Sequence, residues 1–346
     1  MKLCTVVGAR PQFIKLWPLA GELDRRSLEH HVIHTGQHFD DNMSEVFFSE
    51  LGMATPTVDL QLGGLSPAEG TGRMVTELGA LFAKIRPDVL IVFGDTNSTL
   101  AAAVAASKTA VPVAHVEAGL RSFDRKMPEE VNRVLTDHVS ELLFCPTSVA
   151  VNHLANEGIT AGVFHVGDIM YDAALLAASM KAPENLLPDV ITGGPFALAT
   201  VHRAQSTASA DALGEIIAYL EDHATKLPVL LPLHPRTSNA MKRYGLSFSP
   251  RIHVVEPMSY LRMAYATAKA DLIITDSGGL QKEAYFHRTP CITLRPNTEW
   301  TETVTHGWNR LWKGPDFLER REITEYGTGD TASRVVDHLL TYLTDR

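Results

Sequence analysis

Four side chains of this sequence could move protons in one place: Asp95, Glu117, Glu129 and His202. Asp95 and Glu117 each close a short apolar run, "VLIVFGD" and "VPVAHVE". Residues at the carboxyl ends of buried strands face the rim where open α/β sheets bind ligands. His202 closes another such run, "ALATVH". Glu129 follows Pro128 at a helix start, "MPEEVNRVLTDHVSELLF". Simpler readings exist for each piece. Glu129 and Glu130 suit the positive end of a helix, Asp95 suits an N-cap, and a lone histidine at a strand end is often a structural hydrogen-bond partner. Carboxylates facing a bound anion would nevertheless repel it without a purpose, and the natural purpose is proton transfer on a substrate held there.

The anion site is suggested by "ITDSGGLQKEA", Ile274 to Ala284. A strand ends in Asp-Ser-Gly-Gly and a helix follows. Ser277, Gly278 and Gly279 would leave free amides at the positive end of that helix, a site for an anion. On its own this stretch also reads as a cap and a tight turn. Arg10, His234, Arg236 and Arg295 lie at other strand ends and can supply charge, arginine being suited to bidentate phosphate contacts. Glu283, four residues after Gly279, suits a ribose diol. The set reads as a cradle for a nucleoside diphosphate. The chain has neither G-x-G-x-x-G nor G-x-x-x-x-G-K-[ST], so a dinucleotide enzyme or a P-loop NTPase lacks its usual signal. His34 and His38 are spaced i, i+4 but straddle a strand end and a turn, so no metal is expected.

The elements that must hold these groups alternate. Apolar runs such as "LCTVVG", "HHVIHTG", "LLFCPT", "VLLPLH", "DLIITDS" and "PCITLR" are separated by helical patterns. Continuous rather than alternating apolar runs mark parallel strands buried on both faces, and strands spaced by helices imply βαβ units in a doubly wound sheet. There are too many strands for one comfortable sheet, and 346 residues suit two domains. The boundary is sought within 166–195, a stretch that ends in Pro and Gly. The expected division is 1–167, 168–330 and a closing helix, 331–346, packing back on the first domain, with Thr331 as its N-cap.

Hydrophobic residues are 45% and charged residues 21%, and 31 Lys and Arg against 40 Asp and Glu give a net charge of -9. That excludes a basic footprint for nucleic acid. No apolar run reaches the length of a membrane span, and the N-terminal "MKLCTVVGAR" is too short for a secretory leader. Cys4, Cys145 and Cys291 lie in apolar stretches without CxxC partners, as buried reduced thiols do. A soluble, cytoplasmic protein is expected.

The motifs "GARPQFIK", "HTGQHFDDNM", "GDTNSTLAAA", "HVEAGLRS", "MPEEVNRVLTDH", "VHRA", "HPRT", "DSGGLQKEA" and "LRPNTEW" together resemble the non-hydrolysing UDP-N-acetylglucosamine 2-epimerases over roughly Met1 to Trp308. The resemblance implies a GT-B architecture of two Rossmann-like domains with the site between them. It implies loss of the C2 proton with elimination of UDP to a 2-acetamidoglucal, then reprotonation on the opposite face and re-addition of UDP, with no cofactor. Matched position by position, it implies Asp95, Glu117 and Glu129 as acid/base carboxylates and His202 near the sugar and leaving phosphate. Arg10, His234, Ser277, Gly278 and Gly279 match diphosphate contacts, Glu283 the ribose contact, Lys15 a further polar group, and Arg295 and Glu299 the sugar-side loop. A homodimer is implied, and a product that feeds polysaccharides.

The pattern departs in two places. Gln205 follows His202-Arg203-Ala204 where an acid is usual, in a region that helps some members bind an activating second UDP-sugar. Arg295-Pro296-Asn297-Thr298-Glu299 lacks an acid near the sugar. "GARPQFIK", "FDDNMSEVFF" and "GDIMYD" look closer to the branch acting on UDP-2,3-diacetamido-2,3-dideoxy-glucuronate. A uronate would need a cation near C6, for which Arg121, Arg125 and Lys126 are placed. The rival readings are a GT-B glycosyltransferase, a hydrolysing epimerase and a non-catalytic nucleotide-sugar sensor.

Overall fold

The computed structural model describes residues 1–37, 48–180, 191 and 193–345. The chain divides into two compact units, Met1–Ala173 with Thr324–Arg346, and Ala174–Ile323. The second unit is therefore inserted into the first.

Among the described residues, the first unit holds a seven-stranded sheet of β1 (Lys2–Val7), β2 (Glu29–His34), β3 (Val58–Asp59), β4 (Val89–Phe93), β5 (Val113–Val116), β6 (Leu142–Cys145) and β7 (Val163–His165). The order is β3-β2-β1-β4-β5-β6-β7, every pair parallel. Covering helices are α1 (Arg10–Arg25), α2 (Pro67–Ile85), α3 (Asn97–Lys108), α4 (Pro128–Val139), α5 (Ser148–Asn156), the start of α6 (Ile169–Ser179), and, from the C-terminal segment, the helix Thr331–Thr344. Every residue of β4 is fully buried, which is why its sequence is apolar without alternation. Met74, Leu78 and Phe82 repeat every four residues and turn one stripe of α2 inward. α3 is alanine-rich because it lies close against the sheet: Ala101, Ala102, Ala103, Ala105 and Ala106 are at most 1% exposed.

The strand order reverses between β1 and β4, so the crevice of this sheet opens beyond their ends. Gln12 holds that crevice in shape. Its Oε1 accepts from the amides of Gly8 (2.8 Å) and Ala9 (3.1 Å), and its Nε2 donates to Phe93 O (3.0 Å) and Thr99 Oγ1 (2.9 Å). Gly8 is required by proximity: a Cβ there would lie 2.1 Å from Ser98 Oγ and 2.2 Å from Thr35 Oγ1.

The second unit holds β8 (Ala197–Thr200), β9 (Val229–Pro232), β10 (Ile252–Val255), β11 (Leu272–Thr275), β12 (Cys291–Thr293) and β13 (Asn309–Leu311) in the order β10-β9-β8-β11-β12-β13, again parallel. Its helices are α7 (Ala210–Ala224), α8 (Pro235–Tyr244), α9 (Tyr260–Lys269), α10 (Gly278–Phe286) and α11 (Thr301–Thr305). β3 and β13 have two and three residues, too few to show a pattern in the sequence.

The C-terminal helix, α12 (Thr331–Thr344), lies on α1, where Arg26 Nη1 meets Asp337 Oδ1 at 2.5 Å. Thr331 is not its N-cap. That position is Asp330, which makes no side-chain cap bond. Asp172 of α6 does the work instead, its carboxylate accepting from the amides of Thr331 (3.1 Å) and Ala332 (2.7 Å). The three cysteines are free and buried, and burial pushes the thiols of Cys4 and Cys145 up to about 12. No helix among the described residues is long and apolar enough to cross a membrane.

Candidate active site

In the first unit the polar residues gather beyond β1, β4 and β5. Glu117 follows β5 with φ of 74°, in the left-handed region that an ordinary side chain rarely adopts. Such strain persists where the surroundings impose it, often at a site of function. Here the imposing partner is Lys15, reaching across from α1 to bond Glu117 Oε2; the two side chains are 12% and 15% exposed. Gly94 makes the room. A Cβ there would stand 3.2 Å from Glu117 Oε2 and 3.4 Å from Lys15 Nζ.

Asp95, the next residue, bonds Arg133 of α4, which also meets Glu130 Oε2 at 2.8 Å. Asn132 Nδ2 donates to Asp95 O (2.9 Å) and Asn97 Oδ1 (3.0 Å), tying the same turn to α4. Arg133 was not picked out by sequence reasoning, because nothing local links it to a residue 38 positions earlier. The neighbours Glu129 and Glu130 have opposite roles. Glu130 is 2% exposed and accepts from Ser122 N (2.8 Å), Ser122 Oγ (2.9 Å) and Phe123 N (2.9 Å). Burial works against its charge, but those donors and Arg133 hold it below the usual carboxylate range. Glu129 is exposed on the first turn of α4, and Arg10 is exposed at the first position of α1.

Arg121, expected on the substrate side, is instead part of the scaffold. Its guanidinium is 1% exposed and donates to Asp137 Oδ2 (2.7 Å), to both Glu157 oxygens (2.7 Å each) and to Leu120 O (2.7 Å). Burial opposes the charge, yet the two carboxylates raise its pKa. A buried, fully engaged guanidinium is not available to a ligand. Arg125 and Lys126 remain exposed. His34 Nδ1 lies 3.3 Å from Asp59 Oδ2, while His38 and the rest of "HFDDNM", residues 38–43, fall outside the described residues.

In the second unit the residues gather where α10 begins. Ser277 is its N-cap, its Oγ accepting from Leu280 N at 3.5 Å, and Gly278 and Gly279 are the first two helical residues. A Cβ on Gly279 would meet nothing within 4 Å, so the approach to the first turn is open there. At Gly278 a Cβ would stand 2.5 Å from Glu299 Oε1. Glu299 is held by Arg295 Nη2 (2.8 Å) and lies 3.7 Å from Arg203 Nη2. Partial burial would raise its pKa, but Arg295 and Arg203 prevail and lower it. The loop is laced to α10 by Trp300 Nε1 donating to Gly278 O (2.9 Å) and Thr298 Oγ1 donating to Gln281 Oε1 (2.5 Å). Glu283 sits half-buried on the next turn.

Asp276, just past the end of β11, is fully buried. Its carboxylate accepts from His202 N (2.9 Å) and Arg203 N (2.8 Å) and lies 3.3 Å from His202 Nδ1. It thus sets His202 beside α10. The His202 and His234 rings are 5.5 Å apart. His234 caps α8 through Nδ1, which accepts from Arg236 N at 3.1 Å, so its remaining proton is on Nε2. Partial desolvation, then His202 and Arg236, lower the pKa of His234. A recess of about 600 Å³, lined by Leu233, Pro235, Val254, Glu256 and Pro257 among others, adjoins it.

The sequence model of one family, UDP-N-acetylglucosamine 2-epimerase, matches residues 21–340. The chain belongs to this family. Among its relatives, a UDP-N-acetylglucosamine 2-epimerase homolog of Methanococcus maripaludis is 49% identical over 319 residues, covering 90% of this chain and 88% of that protein. The UDP-2,3-diacetamido-2,3-dideoxy-D-glucuronate 2-epimerase of Pseudomonas aeruginosa is 43% identical over 357 residues, covering 98% and 99%. The crystal structure of the Methanocaldococcus jannaschii UDP-GlcNAc 2-epimerase in complex with UDP-GlcNAc and UDP is similar with a TM-score of 0.82 at 39% identity, covering 99% of this chain and 100% of that one. The two parallel-sheet α/β units are those of a GT-B type epimerase.

Proposed function

We propose that this chain interconverts UDP-N-acetylglucosamine and its manno epimer by elimination and re-addition of UDP, without a cofactor. The carrying observation is the pairing of each strand-end carboxylate with its own cation, Glu117 with Lys15 and Asp95 with Arg133, around a glycine turn. Epimerisation needs a base on one face of C2 and an acid on the other, and two separately paired carboxylates suit that division. A base takes the C2 proton, the C1–O bond breaks with its electron pair leaving on UDP, and a C1=C2 double bond forms. A proton then adds to the other face of C2 while the UDP oxygen returns to C1. Asp95, Glu117 and Glu129 are assigned the proton transfers. Ser277, Gly278 and Gly279 face the diphosphate, with Arg10 and Arg295 adding charge and His234 donating from Nε2, and Glu283 takes the ribose. His202 stands by the leaving phosphate and Glu299 by the sugar.

The same chemistry on UDP-2,3-diacetamido-2,3-dideoxy-glucuronate is the second reading, favoured by the full-length likeness to the Pseudomonas aeruginosa enzyme. With Arg121 engaged elsewhere, Arg125 and Lys126 are the cations left in that region for a C6 carboxylate. A homodimer is supported by an exposed apolar stripe on α4, Val131, Leu135 and Val139, at one residue per turn. Buried free thiols suit a cytoplasmic setting. The reading is tested by proton NMR in D2O with each sugar nucleotide. Deuterium entering at C2 as a manno isomer grows is the expected result, and the faster substrate names the branch. Free N-acetylmannosamine with UDP would replace the proposal with a hydrolysing reaction, and no C2 exchange with either sugar would overturn it.

A further inference from the structure

We infer that His115 is a positioning residue that carries a proton on each ring nitrogen and locks the turns bearing Asp95 and Glu117 against one another. This rests on the proposed roles of those two carboxylates. His115 lies on β5 with no exposed surface. Its Nε2 is 2.8 Å from Gly94 O, and its Nδ1 is 2.7 Å from Asp137 Oδ1. A backbone carbonyl can only accept, so Nε2 donates. Asp137 is itself ionised. Its Oδ2 accepts from Gly119 N (3.1 Å) and Arg121 Nη1 (2.7 Å), and although burial opposes the charge, His115 and Arg121 hold it below the ordinary carboxylate range. A carboxylate can only accept, so Nδ1 donates as well. The result is a buried row of alternating sign, His115, Asp137, Arg121 and Glu157, in which each charge has its counter-charge.

The row brackets the acid/base pair. Gly94 immediately precedes Asp95 and has φ of 60°; Glu117 lies two residues past His115, and Gly119, φ 77°, lies two residues past Glu117. One end of the ring therefore fixes the carbonyl before Asp95, and the other end, through Asp137, fixes the amide of Gly119, two residues past Glu117. A neutral ring has one N–H and would leave either Gly94 O or Asp137 Oδ1 without its His115 donor in a buried place. His115 bonds neither Asp95 nor Glu117, so it acts through geometry and field rather than by exchanging protons with a substrate.

The test uses the full-length protein and two variants, His115→Gln and Asp137→Asn. In nitrogen-15 NMR of the wild type, with His115 assigned through its backbone amide, both ring nitrogens are expected at the protonated position at neutral pH. His115→Gln is expected to lose roughly 10- to 100-fold in kcat for C2 exchange, with KM for the UDP-sugar changed less than about threefold. In Asp137→Asn one ring nitrogen is expected to lose its proton. An unprotonated ring nitrogen in the wild type, or a folded His115→Gln with wild-type kcat, overturns the inference. If His115→Gln does not fold, the NMR of the wild type and of Asp137→Asn decides it. Wild-type protein that exchanges no C2 deuterium would sink the epimerase reading while leaving the proton count on His115 to be read from the spectrum.

Discussion

Lys15 orients Glu117, and Arg133 orients Asp95 while also meeting Glu130. Asp95→Asn removes the proton acceptor and is expected to lower kcat by about 100- to 10,000-fold, read by C2 deuterium exchange; near-full turnover would show that Asp95 has no acid/base role. Lys15→Met keeps the aliphatic stem but not the charge. It is expected to cost Glu117 its fixed orientation and to lower kcat by roughly tenfold or more, with the melting temperature as the control for folding. At this scale the sequence was legible in position: Asp95, Glu117 and His202 were read as strand-end residues, and each follows a strand of its sheet. It was not legible where partnership decides the role. Arg121 and Arg133 are both arginines close to the motifs, yet one is sealed against Asp137 and Glu157 and the other meets Asp95. Only tertiary contacts tell them apart. The adjacent pair Glu129 and Glu130 divides the same way, by which side of α4 each occupies.

Among the elements, α10 offers the sharpest test of anion binding. Its second residue, Gly279, is open, so Gly279→Val fits the fold but covers the first-turn amides. UDP affinity measured by calorimetry is expected to fall at least about tenfold, some 1.4 kcal/mol; unchanged affinity would remove the cradle. The capping of α12 by Asp172 carries a pH dependence. Burial lifts the Asp172 carboxyl from 3.8 to about 6 in the folded protein. A raised folded value means that its contribution to stability is fully present below about pH 4 and is lost as pH rises through about 6, in all about 3 kcal/mol. The melting temperature of Asp172→Asn relative to wild type is therefore expected to improve as pH rises from 4 to 6, and a pH-independent difference would refute it. The parallel sheets were legible because their strands are apolar on both faces. The short strands β3 and β13 and the capping of α12 from α6 were not, since two or three residues show no period and Asp172 lies 159 positions from Thr331.

For the molecule as a whole, the exposed stripe on α4 predicts self-association. Sedimentation is expected to give a dimer, and Leu135→Glu, placed mid-stripe at 47% exposure, to shift it toward monomer without loss of fold; a wild-type monomer would leave the stripe without that role. The net charge of -9 makes local cations matter more, because a diphosphate would approach against the average field.

Because the second unit is inserted between Ala173 and Thr324, biosynthesis finishes it first. Residues 174–323 have all been synthesised while the first unit still lacks α12, whose Val335, Val336 and Leu339 are fully buried in the finished protein. Until those last residues arrive, the apolar seat beside α1 is bare and Asp172 has no amides to hold. The segment Thr324–Arg346 thus completes the unit that Met1–Ala173 begins. A chain that stops short of it would carry an intact set of sequence motifs and an unfinished first unit, the state on which chaperones and proteases act.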